Sequence, residues 1–188
     1  MRKIQFYILS IAVVLWCSAC TEVTFPIHQP KGIKPLTEMP KELRGKYIIP
    51  EGDSVDMMDT LTIDATSYRF TSSAKKADHS WLDNAQLSDS LIVKKYKGYY
   101  FFNFKENDQW LLRVVKIESG GNLSFRMFAI DGAGKDKLLW ELEQEIAVET
   151  IQIDSNEKYY RIDPSPKKLL QLVKKKKYWE ESKLKRVK

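Results

Sequence analysis

The chain has 188 residues, 31 of them Lys or Arg and 25 Asp or Glu, for a formal charge of +6, with 43% hydrophobic residues but only two histidines and two cysteines. That length and apolar share predict one globular domain whose core needs no disulfide scaffold. The scarcity of His and Cys excludes a histidine metal cluster, an HExxH centre and a cysteine zinc site, and no Ser-His-Asp arrangement has a recognisable context.

Met1, Arg2 and Lys3 open the chain, an apolar run from Ile4 to Trp16 follows, and Cys17-Ser18-Ala19-Cys20 closes it. A basic start, a short apolar stretch and small residues predict a secretion signal over residues 1–19. The run is shorter than the ~20 apolar residues that cross a bilayer, so no stable transmembrane helix is expected. Ser18-Ala19-Cys20 resembles the lipobox of bacterial lipoproteins, with Cys17 standing where that motif usually carries Leu. The resemblance implies a diacylglyceryl group on the Cys20 thiol and cleavage before it, so that Cys20 becomes the first residue of the mature chain. The same four residues spell C-x-x-C, but the strand and helix context of a redox pair is missing. A buried cysteine-bearing helix is the third reading. Cleavage removes Arg2 and Lys3 and no acid, lowering the charge from +6 to +4, and lipidation leaves no free thiol. With Thr21 rather than Asp after the cysteine, the resemblance implies the outer membrane. Glu22 is the only acid nearby, which favours the periplasmic face over the cell surface.

Residues 20–41 carry Pro26, Pro30, Gly32, Pro35 and Pro40, a composition that resists helix and sheet and predicts a lipidated, proline-rich tether or a partly docked loop. A single domain is then expected over residues 42–188. Its first strand is Leu43 to Ile49, whose Gly45 allows a close approach or a bulge. Thr60 to Asp64 and Tyr68 to Thr71 read as strands, and residues 72–86 as a polar loop. A β-meander follows at Ser90 to Lys95, Gly98 to Lys105, Gln109 to Ile117 and Asn122 to Ile130. Its connectors Lys97-Gly98, Glu106-Asn107-Asp108 and Ser119-Gly120-Gly121-Asn122 carry turn chemistry. Leu138 to Ile146 fits both periods, and the reading leans to a short helix. Residues 148–153 and 158–162 read as strands around Asp154-Ser155-Asn156. Ser165-Pro166 supplies a capping serine and a proline at the first helical position, predicting a helix near 165–176. Tyr178 and Trp179 then pin the chain to the core before a short closing strand that ends near Val187.

The candidate sites are few. His79, beside Asp78 and Ser80, reads as incidental, and the tether's His28 has no partner in the sequence. Asp53, Asp56 and Asp59 miss the calcium-loop pattern, and Gly120-Gly121 and Gly132-Ala133-Gly134 lack the lysine of a phosphate cradle. Aromatics are the richest feature. On a strand, Tyr99, Phe101 and Asn103 face one way while Tyr100, Phe102 and Phe104 face the other. Apolar residues on both sides mean that both faces are covered, either as a packed core or with one face lining a ligand site. Tyr99, Tyr100, Phe102 and Trp110 are the candidate ligand contacts, for a small apolar molecule or glycan. From Lys167 to Lys188 ten basic residues meet only Glu180 and Glu181. That tail reads as a solvated helix end or as a surface for anionic lipid; nucleic acid is not expected in a secreted chain.

Leu43-Arg44-Gly45-Lys46-Tyr47 resembles the L-x-G-x-W opening of lipocalin-like proteins, with Tyr47 in place of Trp. Lipobox, tether, meander and late helix together resemble small lipoproteins of Bacteroidetes to which no activity is attached. The expected fold is mainly β: an antiparallel meander in a curved sheet or lipocalin-like barrel, with a late C-terminal helix. The expected function is a membrane-anchored envelope lipoprotein, without catalytic residues, metal or cofactor, that binds a small apolar ligand, a glycan or an envelope protein. The alternative is an enzyme whose carboxylates or hydroxyls meet only in the fold.

Overall fold

A computed structural model describes residues 22–49, 59–71, 84–130, 134–152 and 158–187. Cys20, Asp53, Asp56 and His79 lie outside the described residues, as does the turn at Asp154 to Asn156. Among the described residues, twelve strands and two α-helices make a mainly β fold. The strands are β1 (Val23–Phe25), β2 (Gly45–Ile49), β3 (Asp59–Ile63), β4 (Ser67–Thr71), β5 (Asn84–Gln86), β6 (Leu91–Tyr96), β7 (Tyr99–Glu106), β8 (Gln109–Ile117), β9 (Leu123–Phe128), β10 (Val148–Gln152), β11 (Lys158–Ile162) and β12 (Trp179–Arg186). The helices are α1 (Lys135–Glu143) and α2 (Pro166–Lys174).

The meander β6-β7-β8-β9 is antiparallel throughout. Its first turn holds Lys97 at φ 49° and Gly98 at φ 83°, the paired positive angles that match the twist of a two-residue hairpin. Strand β8 forks the sheet. One edge is taken by β7, and the other is shared between β9, opposite Arg113 to Ile117, and β1, opposite Trp110 and Leu111. One branch runs β9-β12-β2-β3-β4-β5 and the other β1-β11-β10, with β1 and β11 parallel. Among the described residues the two ends do not meet, so the sheet is open and the barrel alternative is corrected. The closing strand β12 is longer than expected. Its eight residues pair with β9 over six positions and then with β2, welding the meander to the N-terminal strands.

Two cores lie on opposite faces of the meander, as the two-sided aromatic pattern predicts. Phe101, Leu112, Val114 and Phe128 face α1 and α2, which contribute Leu142, Leu169, Leu172 and Val173. Tyr100, Phe102, Phe104, Leu111 and Val115 face the curled branch, whose Tyr47, Leu61, Ile63 and Tyr68 cover them.

Residues 22–41, read as a tether or a partly docked loop, pack against the sheet. Val23 and Phe25 are buried, Pro35 bridges to Lys94, Leu36 N–H donates to Val93 O at 2.8 Å and Met39 is fully buried. Prolines deny this segment its own helix or hairpin, but the amides between them find acceptors on strands already present. Residues 84–86, expected in a loop, form the edge strand β5.

The stretch from Leu138 is helical, and α1 begins earlier than expected, at Lys135. Helix α2 starts as expected: Ser165 Oγ accepts from Lys168 N–H at 3.3 Å and Pro166 follows. It ends at Lys174, where Trp179 Nε1 donates to Leu172 O and Arg126 Nη1 to Val173 O, satisfying carbonyls that the helix leaves over.

Candidate functional site

On the face covered by the curled branch, a cavity of about 70 Å³ lies among β3, β4, β7, β8, β9 and β12. Alternation puts Phe102 and Phe104 of β7 and Arg113 and Val115 of β8 on this side. Tyr68 meets Phe102 and Phe104 edge-on, with ring centroids 6.5 and 6.1 Å apart, the arrangement the ring quadrupoles prefer. The walls are otherwise Leu61, Ile63, Leu123 and Leu184, closed by Phe70 and Phe125. A site that encloses a drug-sized molecule needs at least about 300 Å³. This cavity holds one short apolar group.

Arg113 is the only charged residue among the described residues that line it. Its Nη1 lies 2.6 Å from Glu22 Oε1 and donates to Leu112 O at 3.2 Å, with 10% of the Arg113 side chain exposed. Apolar walls beside one cationic side chain can orient an amphiphile, and no nucleophile is among the described residues that line the cavity. Among the described residues no cluster of His, Cys, Asp or Glu could hold a metal ion.

Of the four predicted ligand contacts, the structure brings only Phe102 to this cavity. Tyr100 shares its face but points to the rim, where its hydroxyl donates to Glu42 Oε1 at 2.7 Å and Lys95 Nζ stands 2.9 Å from the same oxygen. The Tyr100 hydrogen bond, with a smaller contribution from Lys95, holds the Glu42 carboxyl at about 2. Tyr99 and Trp110 belong to the opposite core.

That opposite core contains a second polar cluster, under the N-terminal segment. Lys94, 1% exposed, donates to His28 O at 3.0 Å and Pro30 O at 2.8 Å. Asn103 Nδ2 donates to Gln29 O at 2.8 Å while its Oδ1 accepts from Gln29 N–H at 2.6 Å. Trp110 meets the His28 ring edge-on at 5.3 Å. Burial lowers Lys94 to about 8, and burial together with the Lys94 charge lowers His28. These bonds fasten residues 28–30 to β6 and β7, and the lysine is sealed from any substrate.

No family model, curated protein or solved structure matches this chain.

The sequence reading missed Arg113 and Lys94 as site-forming residues, yet both left a signal. Each is a cation inside an otherwise apolar strand, Trp-Leu-Leu-Arg-Val-Val and Leu-Ile-Val-Lys-Lys-Tyr. Strand alternation forces such a residue toward a core face, where it needs a partner. The basic tail finds partners as well. Lys168, Lys175 and the Tyr178 hydroxyl converge on Glu145, and Lys177 pairs with Glu141, so two acids in and just after α1 neutralise lysines in and just after α2.

Proposed function

We propose that this chain is a membrane-anchored envelope lipoprotein, held by a lipid on Cys20, whose non-catalytic role is to bind a small amphiphilic ligand through the cavity on the β7-β8 face. One observation carries the reading: Arg113 lines an apolar cavity, and its guanidinium is tied to Glu22, two residues from Cys20. The ligand enters with a short apolar group first and keeps its anionic or polar head near Arg113. The enzyme alternative lacks support of this kind, since the buried polar residues among those described are Thr24, Gln29, Lys94, Asn103, Gln109, Arg113 and Ser124, without a carboxylate.

Two measurements test the reading. Cells fed an alkyne fatty acid should label the wild type and not Cys20→Ala; equal labelling removes the anchor. Hexanoate, titrated against the isotope-labelled protein, should shift the methyl signals of Val115, Leu123 and Leu184 saturably. The shifts should vanish in Leu123→Phe, which fills the cavity. Linear, unsaturable shifts in the wild type would remove the binding role.

A further inference from the structure

Strand β8 changes neighbours at Leu112. Arg113 is paired with Met127 of β9, whereas Leu111 is paired with Thr24 of β1. Carrying the antiparallel β1-β8 register back two residues sets Glu22 level with Arg113. The guanidinium therefore stands at the fork, lining the cavity and touching the residue that leads into β1.

The cross-strand neighbours of Arg113, Phe102 and Met127, bring no charge, and Glu22 is its one ion-pair partner among the described residues. A largely buried cation needs such a counter-charge. Nη1 makes both protein contacts, with Glu22 Oε1 at 2.6 Å and Leu112 O at 3.2 Å. Nε and Nη2 have no acceptor among the described residues, so they are the donors left for a ligand head.

A second carboxylate added beside Glu22 would put two negative charges on one cation in a partly buried place, where like charges repel more strongly than in water. Exchange of one carboxylate for the other keeps the charge balanced. Glu22 is placed to leave, since 29% of its side chain is exposed against 10% for Arg113, and it lies at the start of a three-residue strand. On release its carboxylate regains hydration, which offsets the desolvation of the incoming head.

We infer that Glu22 is an internal counter-ion that the anionic head of a cavity ligand displaces from Arg113, so that filling the cavity loosens the start of β1. This rests on the binding role proposed above and adds its regulation. A neutral head, such as an alcohol, leaves the ion pair in place. The linkage is reciprocal: Glu22 weakens an anionic ligand by the factor with which that ligand weakens the hold on Glu22. The backbone reports it through Tyr160, whose N–H donates to Glu22 O at 3.1 Å.

The test titrates hexanoate and 1-hexanol against the isotope-labelled full chain, wild type and Glu22→Gln, reading the methyl signals of Val115 and Leu123 and the hydrogen exchange of backbone amides. Glu22→Gln should tighten hexanoate about tenfold, equivalent to about 1.4 kcal/mol, and change 1-hexanol less than twofold. Saturating hexanoate should speed exchange of the wild-type Tyr160 amide at least fivefold, and 1-hexanol should not. The Leu169 amide, bonded to Ser165 O in α2, should be unchanged by either. In Arg113→Met, hexanoate should lose its effect on Tyr160. Saturable hexanoate binding of equal affinity in wild type and Glu22→Gln would overturn the displacement and leave the binding role intact. Absence of saturable shifts in the wild type would remove the binding role, and this inference with it.

Discussion

Lys94 offers the sharpest test of the packing around the N-terminal segment. Its ammonium is buried and bonded to two backbone carbonyls, with no carboxylate in contact among the described residues, and burial lowers it from 10.5 to about 8. Such a drop corresponds to about 3 kcal/mol by which the folded state disfavours the charged amine. The native state holds fewer protons on this group than the unfolded chain between pH 8 and 10.5, so stability rises with pH across that window. The cost is full below pH 8 and fades as the unfolded lysine also loses its proton. From pH 7 to pH 9.5 the wild type should gain about 2 kcal/mol from this group. Lys94→Met removes the buried charge but leaves the His28 and Pro30 carbonyls without their donor, at about 1–3 kcal/mol each. At neutral pH the net of the two effects runs from about 1 kcal/mol of gain to about 3 kcal/mol of loss. The decisive readout is the slope. Urea unfolding at half-unit steps from pH 7 to 9.5 should show the wild type gaining on Lys94→Met by about 2 kcal/mol. Parallel stability curves for the two proteins would refute the argument that the buried ammonium carries an uncompensated charge.

Three further outcomes follow from the same reasoning. Burial pushes Glu145 up, but Lys175, Tyr178 and Lys168 outweigh it and hold it at about 2. A depressed carboxyl contributes stability that is full above its unfolded value near 4.5 and lost as pH falls through about 2. Glu145→Gln should therefore cost about 3 kcal/mol at pH 7 and little at pH 2, as read by chemical denaturation at both. Arg113→Met and Glu22→Gln should show a coupling of about 1–2 kcal/mol in a double-mutant cycle, since the pair is largely buried; additivity would mean that the contact at 2.6 Å does not hold in solution. Ser165→Ala should lower stability by about 1 kcal/mol through loss of the α2 cap, and an unchanged melting temperature would count against that hydrogen bond.

Local chemistry made much of the fold legible. The meander strands, the turns at Lys97-Gly98 and Asn107-Asp108, and the Ser165-Pro166 start of α2 all depend on neighbours within a few residues, and each is read from alternation, positive-φ preference or capping. The same alternation predicted that Tyr99 and Phe101 part company with Tyr100 and Phe102. It could not say which rings would share a cavity, because that depends on the curl that brings Leu61, Ile63 and Tyr68 over β7.

What the sequence by itself determined is therefore periodic: a mainly β chain with two apolar faces, one capped late helix and a basic tail. The tertiary structure decided everything that depends on partners far along the chain. Residues 22–41 read as a tether because proline forbids regular structure locally, yet Val23 to Phe25 find open edges on β8 and β11, more than eighty residues away. Lys94 and Arg113 read as interruptions until His28, Pro30 and Glu22 fold against them. A strand records which face each side chain takes. It carries no record of what will cover that face, and here the covering elements set the candidate site.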